Sequence, residues 1–437
     1  INLIFSISNI GLQSSAVRDI AAAHAVGDAL KLAQTVKAIK RWVVVTGLFG
    51  TILTICLAPL FSNWFFSSDK YVVHFIFLSI IIFFSATLNA NHSIMQGCRQ
   101  VKKLALSTVY GAFAGFCSSI PILYFFREQG IVLALIMSAL STTIVSTYFV
   151  KSLNIEAVGQ SIFESYHIGL ATAKLGIMMA LSNISVFLVQ FIVKAIITKQ
   201  GGLEDVGLYE AGWILNAQYL GIIFTAMTKD YYPRLSQVCQ DNKKVTAIVN
   251  EQAEIAILIM GPMIIALLLF LKPVIELIYS NEFIGIVEMT KWLLIGSLIK
   301  AGSWAISYVF LAKGNGKIFL FNELGINVIT IPITILCYYV YGLEGIGYAF
   351  IINYLIYFIL VSLVAYFHYS FSYGWMFWKE LSVAIVLCSL LIIIISIWPN
   401  EKYLYALPIL VISMIYTFVE LDKRIELVKS IKRMYMR

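Results

Sequence analysis

Runs of about twenty apolar residues recur from one end of this chain to the other, and they constrain the fold more than any other feature. At 1.5 Å per residue, a helical run of that length crosses the ~30 Å hydrocarbon core of a bilayer. Backbone facing lipid must satisfy its own hydrogen bonds, so long apolar runs without alternation read as spanning α-helices. Thirteen candidate spans follow: roughly 1–17, 43–62, 72–95, 106–126, 130–150, 175–198, 208–228, 253–271, 288–312, 318–341, 343–367, 380–398 and 403–420. Prolines inside them, such as Pro59, Pro121, Pro262 and Pro332, are tolerated where neighbouring membrane helices pack. Composition agrees: 60% of residues are hydrophobic, 12% are charged and the mean hydropathy is +0.88. That is too little charge to cover a soluble surface.

The formal charge of +8 could serve nucleic acid, but the basic residues lie in short loops between the runs. One alternate set of loops holds Arg18, Lys31, Lys37, Lys40, Arg41, Arg99, Lys102, Lys103 and Lys151. It continues through Lys174, Lys229, Arg234, Lys243, Lys244, Lys313, Lys317 and Lys379 to a basic C-terminal tail. The opposite set holds only Lys70, Arg127, Lys199, Lys272 and Lys402. This asymmetry places the basic side, and with it the C-terminus, in the cytoplasm, and it excludes a nucleic-acid partner. The first residue, Ile1, already lies within an apolar run, with no basic n-region and cleavage site before it. An odd span count entered from outside predicts a missing first helix, hence fourteen in the natural protein. The six cysteines are scattered singly, so neither a disulfide framework nor a zinc site is expected. No Walker, GxSxG or HExxH motif and no paired carboxylates occur. No catalytic residue, metal ligand or cofactor is therefore expected, and the chain reads as a transporter rather than an enzyme.

Three landmarks recur in order along the chain. A helix ends in a basic–acidic pair at Arg18-Asp19 and again at Lys229-Asp230. A short turn carrying glycine and basic residues occurs at Gln96-Gly97-Cys98-Arg99 and again at Lys313-Gly314-Asn315-Gly316. A Gly-Ile pair opens a span at Gly130 and at Gly345. Each second copy has the orientation of the first, as parallel repeats require. The expected architecture is an all-α polytopic membrane protein of two six-helix lobes plus two C-terminal helices. Its parts are an N-terminal lobe over 1–150, a cytoplasmic linker over 151–174 and a C-terminal lobe over 175–367. Two added helices over 380–421 and a basic cytoplasmic tail over 422–437 complete it.

Polar residues fall at helical spacing in several spans. Asn2, Ser6, Asn9 and Gln13 share one face of the first, and Ser85, Asn89 and Ser93 lie close to one face of the third, beside His92. Asn183, Gln190 and Lys194 do the same in the sixth. Each such residue can be packing glue between helices, but three stripes together suggest a hydrated path. Lys300 is the deepest charge, near mid-span, with Ser297, Trp304 and Ser307 on its side of the helix as a water-facing surface would have them. An unpaired ammonium there costs at least ~2.5 kcal/mol on insertion scales. Lys291 and Lys194 lie near periplasmic ends, where snorkelling explains them equally well. The substrate-binding candidates are thus Lys300, Lys194, Asn183, Gln190, Asn9, Gln13 and Asn89.

The stretch from the sixth span onward resembles the Wzx-type O-antigen and polysaccharide flippases of the multidrug/oligosaccharidyl-lipid/polysaccharide (MOP) exporter superfamily. The residues carrying the resemblance are Val206-Gly-Leu-Tyr-Glu-Ala-Gly212, Thr225-Ala-Met-Thr-Lys-Asp-Tyr-Tyr-Pro-Arg-Leu-Ser236, Val249-Asn-Glu-Gln-Ala-Glu254, Leu277-Ile-Tyr-Ser280 and Gly342-Leu-Glu-Gly-Ile-Gly347. The first half matches more loosely, through Gly11 to Asp19 and the Gln96-Gly97 turn. The resemblance implies a bacterial inner-membrane flippase that moves polyprenyl-pyrophosphate-linked oligosaccharide to the periplasmic leaflet by alternating access. It implies proton or sodium coupling, with Glu210, Asp19, Glu254 and Glu323 as candidates, and a link to polysaccharide assembly machinery. A drug:cation antiporter of the same superfamily would share the fold but favour a more acidic cavity. A membrane glycan polymerase would need a sizeable periplasmic loop with Arg or His residues, and a scaffold protein would leave Lys300 unexplained.

Overall fold

A computed structural model describes residues 12–66, 68–156 and 158–425. Among them are twelve α-helices: α1 (Leu12–Ala25), α2 (Ala29–Phe66), α3 (Val72–Gly97), α4 (Val101–Phe126), α5 (Ile131–Lys151), α6 (Ile162–Gln237), α7 (Asn242–Leu269), α8 (Leu271–Ile278), α9 (Val287–Ala312), α10 (Gly316–Tyr369), α11 (Trp375–Ile397) and α12 (Lys402–Ile425). The chain is an all-α polytopic membrane protein. Its described helices include nine stretches long and apolar enough to cross a bilayer. Three of these run for 51, 66 and 54 residues, each more than twice the ~20 residues of one crossing. They turn back on themselves: Gly202 (φ 77°) breaks α6, Gly342 (φ 60°) breaks α10, and a 3-10 turn over Arg127–Gly130 separates α4 from α5. Every expected span after the first therefore falls on a helix or helical arm, and the first lies partly outside the described residues.

The helix ends follow local chemistry. Ser161 and Glu164 form a reciprocal capping box at the start of α6, which begins inside the segment expected as linker. Asp241 caps α7, accepting from the backbone amides of Lys243 (3.0 Å) and Lys244 (3.2 Å). The Lys244 amide above all holds its carboxyl below the ordinary range. Lys423 and Arg424, read as the start of a basic tail, belong to α12.

Two of the three sequence landmarks recur as matching backbone geometry, whereas the pairs Arg18-Asp19 and Lys229-Asp230, expected at helix ends, lie inside α1 and α6, which run on to Ala25 and Gln237. At the first turn, the Arg99 amide donates to Gln96 O (2.9 Å) and Gln100 to Met95 O (2.8 Å). At the second, Gly314 donates to Leu311 O (3.0 Å) and Asn315 to Phe310 O (2.9 Å). Both are helix ends closed by the same pair of bonds around a left-handed residue, Arg99 (φ 56°) and Gly314 (φ 75°). The same chain offset pairs Arg127 (φ 47°) with Gly342 (φ 60°) and Gly130 with Gly345. A Cβ on Gly130 would lie 2.9 Å from Ile122 O, and one on Gly345 would lie 2.0 Å from Cys337 O. The obstacle at Gly345 is backbone, which cannot step aside. Gly345→Ala is expected to cost about 1–3 kcal/mol, whereas Gly325→Ala, whose added methyl meets open space, should be silent. Thermal unfolding of the two detergent-purified variants checks this.

The chain forms two compact units. The first runs to Asn183 and takes in Lys229–Cys239 and Phe310–Leu320. Its core is built from Ile20, Ile39, Ile94, Met95 and Leu104, with Gly97 allowing α1 to approach α3 so closely that a Cβ would sit 2.7 Å from Ile20. The second unit holds the remainder. In it α7 and α9 are the interior helices, with 67% and 72% of their most apolar segments buried, against 17% for the α6 stretch. A cluster of charges fixes α11 and α12 to α7. The Arg424 guanidinium reaches Glu254 (3.1 Å), Glu380 (2.9 Å) and Glu420 (3.0 Å). Tyr416 donates to Glu380 at 2.8 Å, and Lys379 lies 3.6 Å from Glu420. The Glu380 side chain is 0% exposed, so its charge depends on these partners.

Candidate functional site

The second unit encloses a cavity of ≈ 170 Å³ between the two arms of α6 and the two arms of α10. The glycine-broken hairpins make it: each turns at its left-handed residue and sends both arms back along the same space. Asn327 donates to Ser185 (2.6 Å) and Tyr338 to Asp205 (2.9 Å), tying the hairpins together. The lining joins aromatic faces (Tyr209, Trp213, Tyr354 and Tyr357) to the amides of Gln190 and Asn353. Trp213 meets Phe350 edge-on at 5.7 Å, and Phe350 meets Tyr354 at 4.6 Å, as rings with opposed edge and face charge prefer. Asn353 is 7% exposed. Its amide nitrogen donates to Thr334 at 3.3 Å, while its Oδ1 has no partner among the described residues. A buried acceptor left unpaired invites a donor from a guest.

One carboxylate and one ammonium give the region its electrostatics. Glu323 lines the cavity and accepts from the Tyr357 hydroxyl. The Lys300 ammonium lies 5.4 Å from the ring centres of both Phe224 and Tyr354, and its charge acts on Glu323. Among the described residues Lys300 makes no ion pair within 4 Å. Cation–π contacts contribute about 0.5–2 kcal/mol each and offset part of its burial without using its donors. These contacts leave the ammonium's N–H donors for an anion. The expected water-facing surface around it is corrected: Ser297 is 1% exposed and lies 3.3 Å from Asn216 Oδ1, and Trp304 packs on Phe224 at 5.1 Å. Aromatic rings flank this lysine, which is itself partly exposed.

The other candidates are distributed as follows. Gln190 lines the cavity with Glu323. Lys194 and Glu210, expected in separate roles, are ion-paired with each other. Asn183 is exposed and falls in the other unit. Gln13 and Asn89 are joined only through their backbones, the Ser93 hydroxyl donating to the main-chain carbonyls of both (2.9 and 2.8 Å). Asn9 lies outside the described residues. Asp19 pairs with Arg18 (Nε to carboxylate 2.7 Å) and accepts from Thr172, while Glu254 is held by Arg424. Of the four coupling candidates only Glu323 reaches the cavity.

Sequence reasoning missed Asn353, Tyr354 and Tyr357, which share a helical face at i, i+1 and i+4. It also missed Asn327, one turn after Glu323. Both pairings were visible as polar and aromatic spacing within apolar runs.

The architecture is that of known transporters. The chain superposes on a multidrug resistance MATE family transporter of the MOP superfamily in an outward-facing conformation, with a TM-score of 0.71 at 15% identity, over 84% of this chain and 85% of that one. It also superposes on a MOP superfamily transporter from Pyrococcus furiosus, described as having a binding pocket of reversed polarity, with a TM-score of 0.64 at 15% identity over 83% and 84%. Fold and cavity thus define a polytopic membrane protein with the MOP-transporter fold. A family model for polysaccharide biosynthesis proteins matches residues 22–288, more than half of the chain, and the chain belongs to that family. It is 19% identical over 270 residues to the Lipid III flippase of Escherichia coli (strain K12), an alignment covering 61% of this chain and 64% of that protein. The Shigella flexneri Lipid III flippase gives the same figures.

Proposed function

We propose that this protein is a bacterial inner-membrane flippase for oligosaccharide carried on polyprenyl pyrophosphate, working by alternating access and releasing its cargo to the periplasmic leaflet. The observation carrying this reading is the cavity itself: aromatic faces and amides of the kind that hold sugar rings and hydroxyls, with Lys300 beside them to attract a phosphate. At ≈ 170 Å³ it is smaller than the ~300 Å³ of common ligand pockets, so it takes one ring or phosphate group at a time. The lipid tail stays in the bilayer, and the sugars and charges, which hydrocarbon rejects, are shielded during passage. Family membership and the Lipid III flippase similarity support a lipid-linked glycan substrate. Glu323 is the carboxylate best placed to exchange a proton or sodium ion with that cycle.

A drug:cation antiporter is the second reading, favoured by the MATE likeness and by Glu323 among aromatic rings. Deletion of the gene in its host, with complementation, separates the two. Loss of surface polysaccharide with lipid-linked precursor accumulating on the cytoplasmic side, restored by the gene, is the expected result. Normal polysaccharide with altered drug tolerance would favour the antiporter.

A further inference from the structure

We propose that a second cavity, in the first unit, binds the phosphodiester headgroup of an anionic phospholipid. This cavity, of ≈ 330 Å³, lies between α2, the end of α5 and the linker that follows. Lys37, Lys40 and Lys151 line it, over an apolar floor that includes Val36 and Val150. Lys40 and Lys151 stand close enough for their like charges to repel. Arg41, one residue on, spends its guanidinium on the linker: Gln160 O at 3.0 Å, Ser161 O at 2.6 Å and Ser165 Oγ at 2.6 Å. Lys37 likewise donates to Val158 O at 2.5 Å. Among the described residues none of these four cations is ion-paired. Glu156 is the one carboxylate on the lining, and it too makes no ion pair. Two cations thus pin the linker by its carbonyls, while Lys40 and Lys151 share the cavity with Glu156 but, among the described residues, form no ion pair.

The placement selects the ligand. The walls are the ends of two spanning stretches, and Lys151 is the last residue of its own. They lie on the side bearing the basic loops, where anionic headgroups meet juxtamembrane lysines. Basic pockets between spanning helices at this level take lipid phosphates. The apolar floor suits the glycerol and first acyl carbons, which a free phosphate lacks. An occupied site would hold the linker against α2 whatever substrate the protein transports.

The test uses the full-length protein purified in neutral detergent, with native mass spectrometry counting retained phosphatidylglycerol and phosphatidylcholine. Phosphatidylglycerol should be retained selectively. The double variant Lys40→Gln, Lys151→Gln should bind it roughly 30-fold more weakly, the factor expected for two surface lysines at a membrane. Lys243→Gln, on another basic loop, should bind as the parent does. Should the double variant fail to fold, Lys151→Gln alone, exposed at a helix end, is expected to weaken retention roughly fivefold. Equal retention of both lipids, or an unchanged affinity in the folded lysine variants, would overturn the proposal. Tight binding of free pyrophosphate at the same lysines with no lipid retained would overturn it too, in favour of a soluble anion.

Discussion

Arg424→Ala is expected to lose most of the folded protein. The substitution leaves Glu380, with its side chain 0% exposed, beside Glu254 and Glu420 without the guanidinium that bonds all three. Removing one partner from a buried ionic cluster costs about 3–5 kcal/mol, a large share of the 5–15 kcal/mol that holds a typical domain together. Lys379 remains 3.7 Å from Glu380, but a point charge cannot replace a fork that reaches three carboxylates. Arg424→Lys should therefore recover only part of the loss. Adding Glu380→Leu to Arg424→Ala should recover more than adding an exposed Glu204→Leu, because it removes the stranded charge. Fluorescence-detected size exclusion after graded heating reads all four proteins. An Arg424→Ala variant melting within about 1 kcal/mol of the parent would show that the cluster contributes no more than a surface pair.

Lys300→Gln is expected to keep the fold and lose the transport. Among the described residues its ammonium makes no ion pair, so glutamine removes a charge without breaking a bridge. A hydrogen bond to a charged group contributes about 1.5–3 kcal/mol, so flipping at limiting substrate should fall roughly ten- to a hundredfold. Lys300→Arg should retain part of the rate, since it keeps a cation over the Phe224 and Tyr354 rings. Accumulated lipid-linked precursor, measured against the yield of folded protein, is the readout. Full export by a well-folded Lys300→Gln variant would remove this lysine from the substrate path.

The two variants differ in how far their partners could be read from the chain. The spans were legible because hydropathy is a property of local sequence, and three of the positive-φ turns carried glycine, at Gly202, Gly314 and Gly342, while those at Arg99 and Arg127 did not. The Lys194–Glu210 pair was legible in principle: the two stand equally far on either side of Gly202, so the hairpin turn brings them together. Arg424 and Glu254 are 170 positions apart, and no local pattern announces that contact. The polar stripe of α3 reads two ways for a different reason. Hydroxyls in a helix satisfy themselves on the carbonyl one turn back, as Ser93 does on Asn89 and Thr51 on Gly47, so their alignment needs no water. Asn91, in no stripe, also bridges helices, to Ser146 and Thr147 at 3.0 Å each. Lys300 survived as a candidate because no such self-satisfaction is open to an ammonium at mid-span.

Flipping itself is tested most directly by reconstitution. Full-length protein would be placed in liposomes carrying polyprenyl-pyrophosphate oligosaccharide in both leaflets, and a membrane-impermeant reagent would attack the exposed sugar. The expected result is that the parent protein carries the inner-leaflet pool to the reagent while Lys300→Gln leaves it protected. Protection of that pool by folded parent protein, together with exchange of organic cations for protons in the same vesicles, would contradict the flippase and establish the antiporter.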